Sequence, residues 1–328
     1  MADSDAKAQA AGRRGFLKAV SGVAASGWVL AQAAGAAEAP PSESPPVDPP
    51  PLPKKALLPT IQLGEHRITR LVAGWNPIGG HSHTTLNMAR VMREYFTVEQ
   101  TVAFLRKCES ERINAWQFDH TEKGIEAIRL LREQGTDMKF ICLHAARSFD
   151  APIDKVVKDT APIAIVHHGG VTDAMFRAGK PEEVRDFVKR VKDAGLLAGV
   201  SAHNPDNIKL IADQDWENDL FMCCFYYVTR PREEQQETLG KVTVGEPFFE
   251  SDPTDMTAVM RQVQKPCLGF KILAAGRSGW SKYSVEKAFR FAFENIKPGD
   301  GVIVGIFPKY ADEVAQDAEL TRKYGGKA

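Results

Sequence analysis

Seven of the chain's eight histidines follow the carboxyl ends of apolar, strand-like runs. His81 and His83 come after the first run, in the stretch NPIGGHSH. Asp119 and His120 close the second run, His144 the third, His167 and His168 the fourth, and His203 and Asn204 the fifth. Tyr226 and Tyr227 end the sixth, and Lys271 lies within the seventh. A hydrogen-bonded rim residue is the plain reading of any one of these histidines. Random placement would scatter them over helices and amino-side loops as well, so the set as a whole predicts a site. Imidazole changes charge near neutral pH and is also a good donor to Zn, Mn or Fe. Two chemistries are therefore open. One is proton transfer, with Asp119, His120, His167 and Lys271 as the catalytic groups. The other uses a divalent metal, with His144, His168 and His203 as the ligand set because they end three consecutive strands. Asp119 would then be a fourth ligand or would orient an imidazole. His81-Ser82-His83 is a further ligand pair to consider, in a glycine-rich loop. An inward Lys271 would be a base, a carbonyl clamp or an amine nucleophile. An outward one would only snorkel beneath a helix.

These residues need elements that bring strand ends together. Residues 161–204 show the repeating unit. An apolar run at 162–166 is followed by an amphipathic helix at 181–194 and a second apolar run at 196–201. Further strands are expected at 68–74, 113–118, 138–143, 220–226, 266–272 and 301–306, with helices between them. The strand runs are almost continuously apolar, as parallel strands buried on both faces should be. Eight β-α units in one domain, residues 60–328, fit an α/β fold with a single (β/α)8 TIM barrel, whose sites lie at the carboxyl ends of the strands. An open dinucleotide-binding sheet is disfavoured, because no G-x-G-x-x-G follows the first strand. The long loops 75–96 and 228–254 leave from strand carboxyl ends and read as lids.

Composition bounds the partners. Lys plus Arg equals Asp plus Glu at 42 each, so long-range charge favours neither nucleic acid nor an anionic membrane. The rim residues point to a small-molecule substrate as partner. The five cysteines form no C-x-x-C pair and four fall in apolar runs, so buried thiols and no disulfide framework are expected. The amino terminus has a different character. Gly12-Arg13-Arg14-Gly15-Phe16-Leu17-Lys18 precedes an alanine-rich apolar run with A-x-A sites at 31–33 and 34–36. A charged region, a short apolar region and small residues make an export signal, and the arginine pair resembles the twin-arginine motif. Residues 1–37 are thus expected to engage the twin-arginine translocation machinery and to place the protein in the periplasm or outside the cell, with no stable membrane span. Residues 38–59 read as a linker: 40–59 alone holds nine of the 20 prolines.

The order of segments resembles the aldo/keto reductase barrel. LVAGWNPIGG is similar to that family's first strand and turn, INAWQFDH to its second strand, and IAIVHHGG to its fourth. LLAGVSAHNPDNI is similar to its G-V-S-x-H-N-P segment, and GDGVIVGIFPKYADEVAQDA to its last strand and following helix. The resemblance implies a catalytic Asp119 and a catalytic His168 or His167. It also implies NAD(P) as cofactor, with contacts from Ser201, Asn204 and Lys309. The family's tyrosine position is Gly124 here and its lysine position is His144, with His120, Tyr226 and Tyr95 as substitutes for the acid. Three functions follow: an enzyme working through the histidine cluster on a sugar-like or carbonyl substrate, as an isomerase, lyase or hydrolase; an NAD(P)-dependent oxidoreductase; or a non-catalytic binding protein on the same barrel.

Overall fold

The computed structural model describes residues 55–326. The expected export signal and most of the proline-rich linker, residues 1–54, lie outside the described residues. The linker's last residues pack onto the barrel: Leu58 is 4% exposed, Lys55 pairs with Glu111, and Arg322 donates to the Ala56 carbonyl.

The chain then forms an antiparallel hairpin, β1 (Thr60–Leu63) with β2 (His66–Thr69). Gly64 turns it at φ +54°, a left-handed backbone that suits glycine. Ile61, Leu63 and Ile68 pack into the bottom of the barrel against Val72, Ala115 and Ile141. The sequence suggested one strand over 68–74. The structure divides it at Arg70, whose buried guanidinium donates to the carbonyls of Lys297, Asp300 and Gly325 and so ends the hairpin.

Eight parallel strands follow: β3 (Leu71–Ala73), β4 (Ala115–Asp119), β5 (Lys139–His144), β6 (Ala164–His167), β7 (Leu197–Ala202), β8 (Leu220–Cys224), β9 (Cys267–Phe270) and β10 (Gly301–Val304). Each pairs with the next, and β10 returns to β3, which closes the barrel. This is the expected (β/α)8 architecture. Helix starts carry the expected signals. Thr97 and Thr121 accept backbone N–H groups as N-caps, and Pro181 and Pro205 open their helices. Helix Gly169–Arg177 was not anticipated. It follows β6 directly, before helix Pro181–Asp193. The two lid loops also hold helices, Leu86–Tyr95 and Arg232–Leu239. No helix of the described residues is long and apolar enough to cross a membrane.

Strand pleat divides the core in two. Ala115, Ile141, Ala164, Val166, Leu268 and Ile303 face the barrel axis. Trp116, Phe118, Phe140, Cys142, Ile165, Ala198 and Val200 face the helices. All five cysteines are buried. This alternation continues into the polar residues at the strand ends and decides which of them reach the mouth.

Candidate functional site at the strand carboxyl ends

The mouth opens into a cavity of about 1390 Å³ that runs from Trp75 and Asp119 across to Phe307 and Asp317. Three groups of ionisable residues line it.

The first is built on β4. Asp119 keeps the axial parity of Ala115 and Gln117, so its carboxyl enters the cavity. Gln117 Nε2 donates to Asp119 Oδ1 at 3.4 Å, and His81 Nε2 stands 4.0 Å from Oδ2. About 31% of the Asp119 side chain remains open. Enclosure by protein nevertheless pushes its pKa up to about 7, against the opposing pull of Gln117 and Arg147. Burial also lowers the His81 pKa, helped by His83, Lys271 and Arg93. Gly124 sits just beyond, and a Cβ there would come within 2.8 Å of the Asp119 carbonyl oxygen. The resemblance places a tyrosine at this position, and the local packing leaves no room for one.

The second group is built on β6 and β7. His168 caps helix Gly169–Arg177: its Nδ1 accepts the Gly170 N–H at 3.2 Å. The ring hydrogen is therefore on Nε2, where it can be donated to a ligand. Burial holds the His168 pKa down to about 4, with His203, Arg147, Lys271 and His81 adding to the effect. His203 donates Nδ1–H to Asp173 Oδ2 at 2.9 Å, which leaves Nε2 as an acceptor. Asp173 is saturated: it also receives the backbone N–H groups of His203 and Asn204, Asn207 Nδ2 and Thr229 Oγ1. Burial alone would raise its pKa, but the bonds from His203 and Thr229 hold it below the usual carboxylate range. The His203 pKa is lowered by burial, with Asp173 opposing. Gly169 allows this closeness, since a Cβ there would meet Ser201 Oγ at 2.8 Å and His203 Cε1 at 3.1 Å.

The third group joins both lids to the strand after which Lys271 lies. Lys271 Nζ is 3.1 Å from His83 Nε2, and His83 Nδ1 is 2.9 and 3.0 Å from the two Glu246 carboxylate oxygens. Asn76 Nδ2 lies 3.3 Å from the same Nε2. Arg277 donates to the His83 carbonyl and lies over the Phe248 ring. His83 and Lys271 both hold left-handed backbone, at φ 53° and 58°. Lys271 was expected on the strand. It lies one residue past β9, in the turn that releases its side chain into the mouth.

Of the remaining expected residues, His120, His144 and Ser201 border the same cavity, and His167, Asn204 and Lys309 do not line it. His144 shares the parity of Phe140 and Cys142, so it faces the helices and stacks on Phe187. Its Nε2 bonds to the Ala151 carbonyl and its Nδ1 accepts the Ala146 N–H. With both nitrogens engaged it offers no lone pair to a metal, and it does not converge with His168 and His203. Among the described residues no three His, Cys, Asp or Glu side chains are arranged to hold a metal ion. The ligand set His144, His168 and His203 is therefore unsupported. His167 also faces outward, onto Phe187, and bonds Thr172 Oγ1 at 2.7 Å. It lines a separate pocket of about 510 Å³ with Glu183 and Arg190, and burial drives its pKa down to about 3. A catalytic role for it in the main cavity fails on that geometry. His120 turns to Asp159, 2.9 Å away. Ser201 lines the cavity floor. Asn204 spends its side chain as an N-cap, accepting from Asp206 N, and Lys309 is exposed beside Tyr310. The two therefore do not join Ser201 around one ligand.

Sequence reasoning missed Asp173, Glu246, Gln117 and Asn76. Asp173 sits on the unanticipated helix, where no spacing marks it. Glu246 lies in loop 228–254, whose length was the one available signal.

Comparison with protein-family models finds no match, and comparison with curated proteins finds none either. Solved structures do resemble the chain. Gox0644 in its apo form has a TM-score of 0.50 at 11% identity, over 83% of this chain and 95% of that one. The aldo-keto reductase AKR11C1 from Bacillus halodurans has a TM-score of 0.48 at 11% identity, over 83% and 92%. The glycerol dehydrogenase AKR11B4 from Gluconobacter oxydans has 0.47 at 11% identity, over 82% and 97%. Likeness at this identity is one of fold: a closed (β/α)8 barrel. Chemistry has to be argued from the site.

Proposed function

We propose that this chain is an exported barrel enzyme that moves protons on a small, carbonyl-bearing, sugar-like substrate, as an isomerase or lyase. One observation carries the reading. A carboxyl that titrates near 7 and a carboxylate-oriented imidazole with a free acceptor nitrogen line the same cavity. Groups whose environments push them apart in this way make an acid and base pair. Asp119 is the acid, protonated at and below neutrality. His203 is the base, held in one tautomer by Asp173. His168 donates Nε2–H to the oxygen on which charge develops. None of these steps uses a metal ligand set.

The test is isotopic. The protein is incubated in D2O with a panel of aldoses, ketoses and 2-keto acids, and exchange at carbon next to the carbonyl is followed by NMR. Exchange that is lost in Asp119→Asn and His203→Asn, with the fold retained, supports the reading. No exchange with any member of the panel counts against it.

The reductase reading keeps one supporting feature. The cavity continues past Phe270 to Gly305 and Phe307, and its volume of about 1390 Å³ suits a large ligand. Of the expected contacts Ser201 lines the cavity, while Asn204 caps its helix and Lys309 is exposed beside Tyr310, so that feature stands without them. A nicotinamide titration that quenches protein fluorescence with saturation would favour it nonetheless. The export route rests on the arginine pair. Arg13→Lys with Arg14→Lys is expected to hold the precursor in the cytoplasm.

A further inference from the structure

We propose that Lys271 is an amine nucleophile that forms an imine with a carbonyl ligand, activated by a Glu246–His83–Lys271 relay. The inference rests on the reading above only in that a carbonyl compound enters the cavity. A nucleophile within hydrogen-bond reach of a base, which a third group orients in turn, is the arrangement that activates weak nucleophiles. All three parts are present. Glu246 holds the His83 Nδ1 hydrogen at 2.9 Å, so Nε2 is a lone pair. That lone pair faces Lys271 Nζ at 3.1 Å. The residues come from three separate segments, the loop after β3, the loop after β8 and the turn after β9, and all three line the cavity.

A purely structural contact explains this less well. His83 and Lys271 both adopt left-handed backbone, which costs non-glycine residues free energy and is kept where the surroundings demand it. The Lys271 amine lies 5.3 Å from the Phe270 ring centroid, and among the described residues its hydrogen-bond partner is His83 Nε2. Asn76 Nδ2 can only donate to His83 Nε2, so it positions the ring and does not compete as a base.

The step balances. The ammonium passes a proton to His83 Nε2, and the resulting imidazolium is held by the Glu246 carboxylate. The amine nitrogen attacks the carbonyl carbon as the C=O π bond breaks, and the oxygen takes the proton back from His83. The nitrogen then loses a proton, which protonates the departing hydroxyl, and water leaves. Overall, an ammonium and a carbonyl become an iminium and one water, with no change in charge or oxidation state. The iminium draws electrons from the neighbouring carbon, and Asp119 and His203 line the same cavity.

The probes are pyruvate and glycolaldehyde, with sodium cyanoborohydride to reduce any imine to a stable secondary amine. Peptide mapping by mass spectrometry gives the rate at each lysine. Lys271 is expected to label at least about tenfold faster than Lys282, which lines the same cavity, with saturation in probe. Glu246→Gln and His83→Asn should lower the limiting rate at Lys271 by about tenfold or more without changing the half-saturating concentration. Asn tolerates the left-handed backbone of position 83, so the loop is kept. If His83→Asn fails to fold, Glu246→Gln alone decides. Labelling of Lys271 no faster than Lys282, or a rate unchanged in the relay variants, overturns the proposal. Fast trapping with no deuterium exchange would leave the imine standing and remove the isomerase or lyase reading. Exchange without trapping would do the reverse.

Discussion

His167 and His168 are neighbours in the chain, and the barrel wall passes between them. His167 keeps the parity of Ile165 and packs on Phe187 among the helices. His168 keeps the parity of Val166, caps the next helix and lines the cavity. A weaker form of the split runs around the rim. Asp119, Ser201 and His203 point to the axis, while His120 turns to Asp159 and His144 stacks on Phe187, both at the cavity's edge. Register makes the case sharper. His144 pairs directly with His167, so the two share a level and a direction. Residue type at a strand end therefore does not make a site. What matters is whether the residue falls an even or an odd number of positions from the last axial side chain.

The largest test of this contrast is on catalysis. With turnover measured on a substrate found by deuterium exchange, His203→Asn and Asp173→Asn are expected to lower kcat by about 10²–10⁴-fold, the usual worth of a positioned base. His167→Asn should leave kcat within about threefold. It should instead lower stability by about 1–3 kcal/mol in urea titration, because the buried ring packs on Phe187 and bonds Thr172. Equal catalytic losses at both positions would erase the distinction between the two faces.

A second test uses pH. Asp119 acts protonated and titrates near 7, so kcat should fall as pH rises through about 7. In Asp119→Asn the residual rate should lose that limb. The outward histidine predicts a different profile. The His167 pKa is depressed to about 3, below the ordinary value near 6.5. As pH falls below about 6.5 the unfolded chain takes up the proton first, so stability is lost from there down to about 3. His168, at about 4, adds to the same loss. Thermal melts between pH 7 and 4 should show it, and His167→Asn should flatten part of the slope.

The parity rule also explains what could be read from the sequence. Eight strands and the closed barrel were legible because apolar runs and amphipathic helices alternate along the whole domain. Asp119, His168, His203 and Lys271 were legible as rim residues. Which way each points depends on where the pleat starts, and apolar runs buried on both faces hide that phase. Had Trp116 and Phe118 been taken as the large outward residues and Ala115 and Gln117 as the axial ones, Asp119 would have separated from His120. Gly269-Phe270-Lys271-Ile272 reads as one strand run, with Lys271 inside it. The strand ends at Phe270, and the left-handed turn at Lys271 leaves no mark in the residue types. Asp173 and Glu246 reach the site through a short helix and a lid, contacts far apart in sequence that no local pattern records.

The smallest expected effect is on stability, and it has the opposite sign. Asp119→Asn should stabilise the protein above neutral pH. The carboxyl titrates near 7 when folded and near 3.9 when unfolded. Below about pH 4 both states are protonated and burial carries no ionisation penalty. Between about 4 and 7 the unfolded chain ionises while the folded one stays neutral, so the penalty grows, and above about 7 it is constant. The uncorrected shift corresponds to about 4 kcal/mol. About 31% of the side chain meets cavity solvent, so screening reduces this to about 1–2 kcal/mol. A barrel of this size should then gain about 2–6 °C in Tm at pH 8 and almost nothing at pH 4. An outward residue such as His144 offers the control: His144→Asn loses the stack on Phe187 and should destabilise at both pH values. A pH-independent gain in Asp119→Asn would mean that packing, and not the buried charge, sets its cost, and Asp119 would then resemble the outward residues more than the axial ones.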